Sequence, residues 1–285
     1  MLEVTDEAKK QQDIVTVRME QDIDLEGCIP DDVALKINMG VSSILGTRKN
    51  QQDTVFGYNE NGKTIAIVCD GMGGMNGGEI ASQTAAQILA EDFFNKEPDV
   101  CIPDFFREEA YKMDEAVSAL KNEDGNPLNG GTTVVAVVVE NSDLYWLSVG
   151  DSKIYIIRGE EIIGVNREHN YRLILDNKLE NGLISEEEYK ADEGQAEALV
   201  SYIGIGNLNL MDINATPFKM QEDDIVLLCS DGLYKRLSDE EIREIVMLEE
   251  PDMERAAKRL TDVVMMRTKS AQDNTSLVLL QYSKH

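Results

Sequence analysis

Short runs that are apolar at almost every position constrain this chain more than any other feature. Thr64–Cys69, Thr133–Val139 and Asp224–Cys229 are strand-length, and beyond their first residue they carry almost no polar side chain. A strand of that composition needs cover on both of its faces. Ala34–Val41, Thr54–Tyr58, Leu144–Val149, Lys153–Ile157 and Ser276–Gln281 are further β-type runs. Runs 133–139 and 144–149 are joined by Glu140-Asn141-Ser142-Asp143, a polar connection short enough to predict a hairpin and antiparallel pairing. Helical periodicity marks Glu79–Phe94, Phe105–Lys121, Ser238–Met247 and Asp252–Thr268, and Ser238 with Glu241 forms a capping-box pattern. Strands in consecutive antiparallel groups, with helices gathered in pairs, predict an α+β fold of stacked sheets under helical layers, not alternating βαβ units. No repeat or low-complexity linker interrupts residues 34–285, so one domain is expected there. The polar stretch Gly159–Ala198 reads as a flap over the sheet edge. Residues 1–33, with ten acidic and three basic side chains, read as an acidic extension.

The charge balance removes several classes of partner. With 27 Lys and Arg against 54 Asp and Glu, the formal net charge is −27, and no window collects enough basic residues to track a phosphate backbone. Nucleic acid and anionic membrane are excluded as expected partners. No apolar run reaches the roughly 18 residues that span a bilayer, and Met1-Leu2-Glu3-Val4-Thr5-Asp6 opens without a basic or apolar leader pattern, so a cytoplasmic protein is expected. Cys28, Cys69, Cys101 and Cys229 lack CxxC spacing, and Cys69 and Cys229 fall inside apolar runs, as small buried hydrophobes do. His169 and His285 are the only histidines. Carboxylates are left to carry catalysis. Trp146, Met265 and Met266 read as core residues, and His169 as the start of the flap.

Aspartates recur at the places where apolar runs leave the core. Asp70-Gly71 follows Ile65–Cys69, Asp151 follows Leu147–Gly150, Asp231-Gly232 follows Val226–Ser230, and Asp273 stands immediately before the final run. Carboxylates brought together at strand ends repel one another unless a cation compensates them, and hard oxygen ligands select Mg²⁺ or Mn²⁺. Glycine after Asp70 and Asp231 permits a tight turn and the close approach of a carbonyl. The loop Gly71–Gly78 is not a phosphate loop: Glu79 follows it where Lys is required, and Asn76 replaces the third glycine of GxGxxG. Arg48, in Gly46-Thr47-Arg48-Lys49-Asn50-Gln51-Gln52-Asp53, is a scarce cation placed just before a strand and able to grip a phosphate bidentately.

These motifs, in order from about residue 40 to 281, resemble those of the metal-dependent protein phosphatases, the PPM or type 2C class. Arg48 with Gln52-Asp53 is similar to the family's opening motif, and Val68-Cys69-Asp70-Gly71-Met72-Gly73-Gly74 to its main metal motif. Gly131-Thr132-Thr133, Val149-Gly150-Asp151-Ser152, Leu228-Cys229-Ser230-Asp231-Gly232-Leu233 and Asp273-Asn274 are similar to the later ones. Met72 stands where animal-type members carry a histidine, which resembles the bacterial branch. Gln52 stands where many members carry an acidic residue.

The resemblance implies a central antiparallel β-sandwich flanked on both faces by helix pairs, four layers in the order αββα, with a small flap at about 159–198. It implies that Asp70 bridges two Mn²⁺ or Mg²⁺ ions, that the Gly71 carbonyl binds one, and that Asp231 and Asp273 complete the other. Asp151 with Asp231 matches a third, weaker metal site. Arg48 would hold the substrate phosphate and Asp53 would orient the attacking water. The implied function is a phosphoserine/phosphothreonine protein phosphatase hydrolysing phosphate monoesters with a two-metal-activated water. Its expected substrates are phosphorylated proteins, targets of a cytoplasmic Ser/Thr kinase, and the chain is expected to be a monomer. Two alternatives are a catalytically silent pseudophosphatase acting as a binding module, and a phosphatase dedicated to one partner docked by the acidic extension.

Overall fold

The computed structural model describes residues 36–60, 62–74, 76–122 and 124–283. The acidic extension expected over 1–33 lies outside them. In chain order the first strands are β1 (Lys36–Ile44), β2 (Asp53–Glu60), β3 (Lys63–Gly73), β4 (Gly130–Thr132), β5 (Val134–Glu140) and β6 (Asp143–Val149). There follow β7 (Lys153–Arg158), β8 (Glu161–Gly164), β9 (Asp212–Ile213), β10 (Phe218–Lys219), β11 (Ile225–Cys229) and β12 (Thr275–Ser283). The helices are α1 (Gly77–Asn95), α2 (Ile102–Ser118), α3 (Tyr171–Glu180), α4 (Glu186–Asp192), α5 (Asp231–Tyr234), α6 (Asp239–Glu249) and α7 (Met253–Arg267).

Two antiparallel sheets result. One has the order β1-β12-β11-β7-β8 and the other β10-β6-β5-β3-β2, with β4 added to β3 and β9 to β6. The β5–β6 hairpin pairs Glu140 with Asp143 across its turn, as the polar connection predicts. Alternation along each central strand explains the apolar runs. Ile65, Ile67 and Cys69 face α1 and α2, while Ala66 and Val68 face the opposite sheet. On β11, Ile225, Leu227 and Cys229 face α6 and α7, and Val226 and Leu228 point between the sheets. Three apolar cores therefore separate four layers, αββα.

Details of the reading change where packing decides. Glu161–Gly164, expected to open the flap, forms a hairpin with β7, so the excursion from the sheet begins after Gly164. Within it, α3 and α4 form a helix, turn and capped helix, and Ser185 makes a reciprocal capping box with Glu188. Met265 and Met266 are not core residues: α7 buries Met253, Ala256, Ala257, Leu260 and Val264, a stripe that leaves these two at 41% and 74% exposure. Trp146 is half-buried against the inter-sheet core. Cys69 and Cys229 are buried and Cys101 is exposed.

Candidate active site

Each of the singled-out aspartates leaves the sandwich at the same end. The β2–β3 register sets Asp53 directly opposite Asp70. The Asp70 backbone is fixed from the end of β4 and the Thr133 that joins it to β5: its N–H donates to Thr133 Oγ1 at 3.0 Å, and its carbonyl accepts from Thr132 Oγ1 at 3.0 Å and Thr133 N at 2.9 Å. A Cβ on Gly71 would stand 2.2 Å from the Gly78 carbonyl and 2.4 Å from that of Gln52, so only glycine lets the first turn of α1 settle on this strand. Asp231 opens α5 directly after β11, and the preceding Ser230 hydroxyl donates to Asp53 Oδ2 at 2.8 Å. Asp273 precedes β12. Its neighbour Asn274 accepts from Gln52 N at 2.9 Å and donates to the carbonyls of Leu45 and Asn50, which ties the Arg48 loop to the start of that strand. Asp151 follows Gly150, whose φ of 105° is open to glycine alone.

The electrostatics register the crowding. Burial pushes the Asp53 carboxyl up to about 7 against the Ser230 and Ser276 hydroxyls, with repulsion from Asp231 and Asp273 adding to it. Asp70 is raised well above the carboxylate range by burial and then by Asp53, Asp231, Asp151 and Asp273. Burial and Asp231 lift Asp151 to about 6. Two cations answer this charge from the rim: Arg48 Nη2 lies 2.5 Å from Asp273 Oδ2, and Lys235 Nζ lies 2.6 Å from Asp231 Oδ2. Between them opens a cleft of about 520 Å³ lined by Thr47, Arg48, Asp231, Lys235, Arg236 and Asp273. The buried thiols of Cys69 and Cys229 are both pushed up, first by burial, which disqualifies them as nucleophiles.

The residues fit divalent cations in the kind of donor they offer. Asp53 Oδ1 is buried without a hydrogen-bond partner, and the donors at this end are carboxylates and a glycine carbonyl suited to hard ions. Among the described residues, however, no three acidic, histidine or cysteine side chains stand as a ready-made cage. Asp231 and Asp273 are turned toward Lys235 and Arg48, so ion binding entails side-chain rearrangement.

All of Arg48, Asp53, Asp70, Gly71, Asp151, Asp231 and Asp273 thus belong to one end of the molecule. Three positions acquire their part from the structure: Ser230 as the donor to Asp53, Lys235 as the partner of Asp231, and Thr133 as the link from Asp70 to Ser152, whose hydroxyls lie 2.7 Å apart. A hydroxyl at the end of an otherwise apolar run, such as Ser230 after Leu227-Leu228-Cys229, is the signal that marks such positions.

A family model described as Protein phosphatase 2C matches residues 42–277. The chain belongs to the protein phosphatase 2C family. Among its relatives, the serine/threonine phosphatase stp of Listeria welshimeri is 28% identical over 231 residues, covering 78% of this chain and 86% of that protein. Protein phosphatase PhpP of Streptococcus pneumoniae is 28% identical over 242 residues, covering 83% and 94%. Among solved structures, the Mycobacterium tuberculosis serine/threonine phosphatase PstP/Ppp superposes with a TM-score of 0.71 at 25% identity, covering 88% of this chain and all of that one. The catalytic domain of PstP in complex with two manganese ions has a TM-score of 0.69 at 24% identity, covering 88% and 100%. This phosphatase 2C chain is accordingly a metal-dependent serine/threonine protein phosphatase of bacterial type that acts on phosphoproteins. No helix among the described residues is long and apolar enough to cross a membrane.

Proposed function

We propose that Asp70, the Gly71 carbonyl, Asp231 and Asp273 hold two Mn²⁺ or Mg²⁺ ions, that Asp151 with Asp231 serves a third, weaker site, and that Arg48 and Asp53 act on substrate and water. The observation that carries this reading is the convergence of Asp53, Asp70, Asp151, Asp231 and Asp273, each raising the charge cost of its neighbours. Divalent cations, when bound, neutralise these carboxylates and supply Lewis acidity for in-line attack of water on phosphorus. Arg48, 58% exposed on its rim loop, reaches across the cleft and binds phosphoryl oxygens bidentately. Asp53 contributes from below: Ser230 occupies Oδ2, and Oδ1 remains free to accept a hydrogen bond from the attacking water. No covalent enzyme intermediate is required.

The physiological substrates in this reading are targets of a cytoplasmic Ser/Thr kinase, and the enzyme works as a monomer. The catalytic domain spans 34–285 and the acidic residues 1–33 form an extension to it. Every aspartate expected to bind metal is present, which leaves no observation favouring a silent pseudophosphatase. Phosphate release from a phosphothreonine peptide tests the assignment. Turnover is expected in Mn²⁺ and not in EDTA, and Asp231→Asn should be silent in Mn²⁺. Folded wild-type protein that is inactive in both Mn²⁺ and Mg²⁺ would return the pseudophosphatase or the dedicated-partner reading.

A further inference from the structure

His169 is fully buried at the neck of the flap, and the phosphatase chemistry does not use it. Two chain segments form that neck. Tyr171 N donates to Ala198 O at 2.8 Å, Arg172 N to Ala196 O at 2.9 Å, and Val200 N to the His169 carbonyl at 2.9 Å. His169 also turns inward to Gly150. Its backbone N–H donates to Gly150 O at 2.8 Å, and its Nδ1 accepts from Gly150 N at 3.2 Å. One buried residue thus satisfies both backbone groups of the glycine preceding Asp151.

We propose that His169 is a positioning residue that locks the neck of the flap to the Gly150–Asp151 turn, so that the flap and the Asp151 carboxylate move as one piece. The inference rests on the reading that Asp151 belongs to the metal-binding set. A Cβ at Gly150 would strike the Thr133 side chain at 2.7 Å, so the turn needs glycine, and because glycine imposes little conformation of its own the turn depends on its hydrogen bonds to stay in place. Besides His169, the Tyr234 hydroxyl holds the Asp151 carbonyl at 3.0 Å. The other root of the flap reaches the same site. Ile203 and Thr132 exchange backbone hydrogen bonds of 2.9 and 3.0 Å, and Thr132 in turn donates to the Asp70 carbonyl. Beyond Ile203, Asp114 of α2 accepts from the amides of Gly204, Gly206 and Leu208, which anchors that root to the helical layer.

The lock requires an acceptor at Nδ1, which makes the neutral imidazole with its proton on Nε2 the competent form. Burial disfavours the charged ring, against Asp212 and with Arg167, the ionised groups that face it. The geometry also separates two conservative changes. Asparagine can present an oxygen where Nδ1 stands, whereas glutamine places its polar end at the Nε2 position.

Wild type, His169→Asn, His169→Gln and Asp151→Asn should be compared by amide hydrogen exchange and by Mn²⁺ calorimetry without substrate. His169→Gln is expected to speed exchange at the peptides spanning Gly150 and 196–203 about tenfold and to weaken the weakest Mn²⁺ site by a similar factor, the worth of one buried hydrogen bond. His169→Asn is expected to stay close to wild type in both readouts. Equal effects of Asn and Gln, or unchanged exchange at Gly150 in His169→Gln, would overturn the lock. If His169→Gln does not fold, the wild type still decides: Mn²⁺ saturation should slow exchange at the neck, and Asp151→Asn should abolish that slowing. A neck that ignores Mn²⁺ in the wild type, while calorimetry shows that Asp151→Asn loses an ion, overturns the lock alone. Mn²⁺ binding that is unchanged in Asp151→Asn instead overturns the metal assignment of Asp151.

Discussion

Buried carboxyl groups crowd together in two regions of this molecule, and the two resolve their repulsion differently. Between α1 and α2, Glu109 is buried beside Asp92. Burial and the Asp92 hydrogen bond push Glu109 up to about 7, so it holds a proton near neutrality. Burial also acts on Asp92, but hydrogen bonds from Lys112 and Glu109 outweigh it and hold that carboxyl low. A proton and a lysine close the account inside the protein. At the end of the sandwich, no lysine or arginine among the described residues forms an ion pair with Asp53, Asp70 or Asp151, and Arg48 and Lys235 bond instead to the outer pair, Asp273 and Asp231. Self-compensated charge is structural. Charge left uncompensated on rigid strand ends is a demand for a ligand from outside.

The largest expected effect falls on the uncompensated end. Asp70→Asn should lower kcat on a phosphothreonine peptide by on the order of a thousandfold, since metal binding contributes several kcal/mol to the transition state. The same variant should unfold at a higher temperature than wild type in EDTA, because a repelling carboxyl is gone, and should lose most of the stabilisation that Mn²⁺ gives wild type. Calorimetry in EDTA and in Mn²⁺ reads both, and a lower melting temperature in EDTA would break the comparison. Arg48→Ala should reduce kcat/KM by about ten- to a hundredfold, the worth of a charge-assisted bidentate contact, as steady-state kinetics would measure.

The self-compensated region predicts a pH effect with the opposite location. Glu109 binds its proton more tightly when folded, so its contribution to stability is full below its ordinary value of 4.5 and is lost as pH rises through about 7. Glu109→Gln should therefore leave stability at acid pH unchanged and raise it by about 1 to 2 kcal/mol at pH 8, measured by urea denaturation, with activity intact. The smallest effect is long-range. A net charge of −27 repels acidic phosphopeptides, so their turnover should rise severalfold between low and moderate salt, while basic peptides respond in the opposite sense.

The layers were legible because the apolar runs obey a strict rule: Ile65 and Val68 face different cores, and no solvent-facing strand would make both apolar. The aspartates were legible because Asp70, Asp151 and Asp231 break such runs abruptly. What escaped was set by partners distant in sequence. Met265 and Met266 lie outside the buried stripe because α7 rests on the sheet through Ala257, Leu260 and Val264, and composition alone does not reveal that rotation. The part played by Ser230 depends on Asp53, 177 residues away, and Lys235 gains meaning only once α5 turns it back on Asp231. The flap began later than its polarity suggested because β8 is an edge strand with one covered face, and edge strands tolerate polar residues.

The pairing of β1 with β12 runs over nine residues, from Lys36 with Ser283 to Ile44 with Thr275. β12 also lies against β11, so this strand sits inside its sheet and supplies, through Asp273 and Asn274, one wall of the cleft. Until β12 docks, β1 has no strand paired with it and Asp273 has no strand to hold it. Docking of β12 thus covers β1 and fixes one wall of the cleft in the same event, so completion of that sheet and assembly of the cleft are coupled.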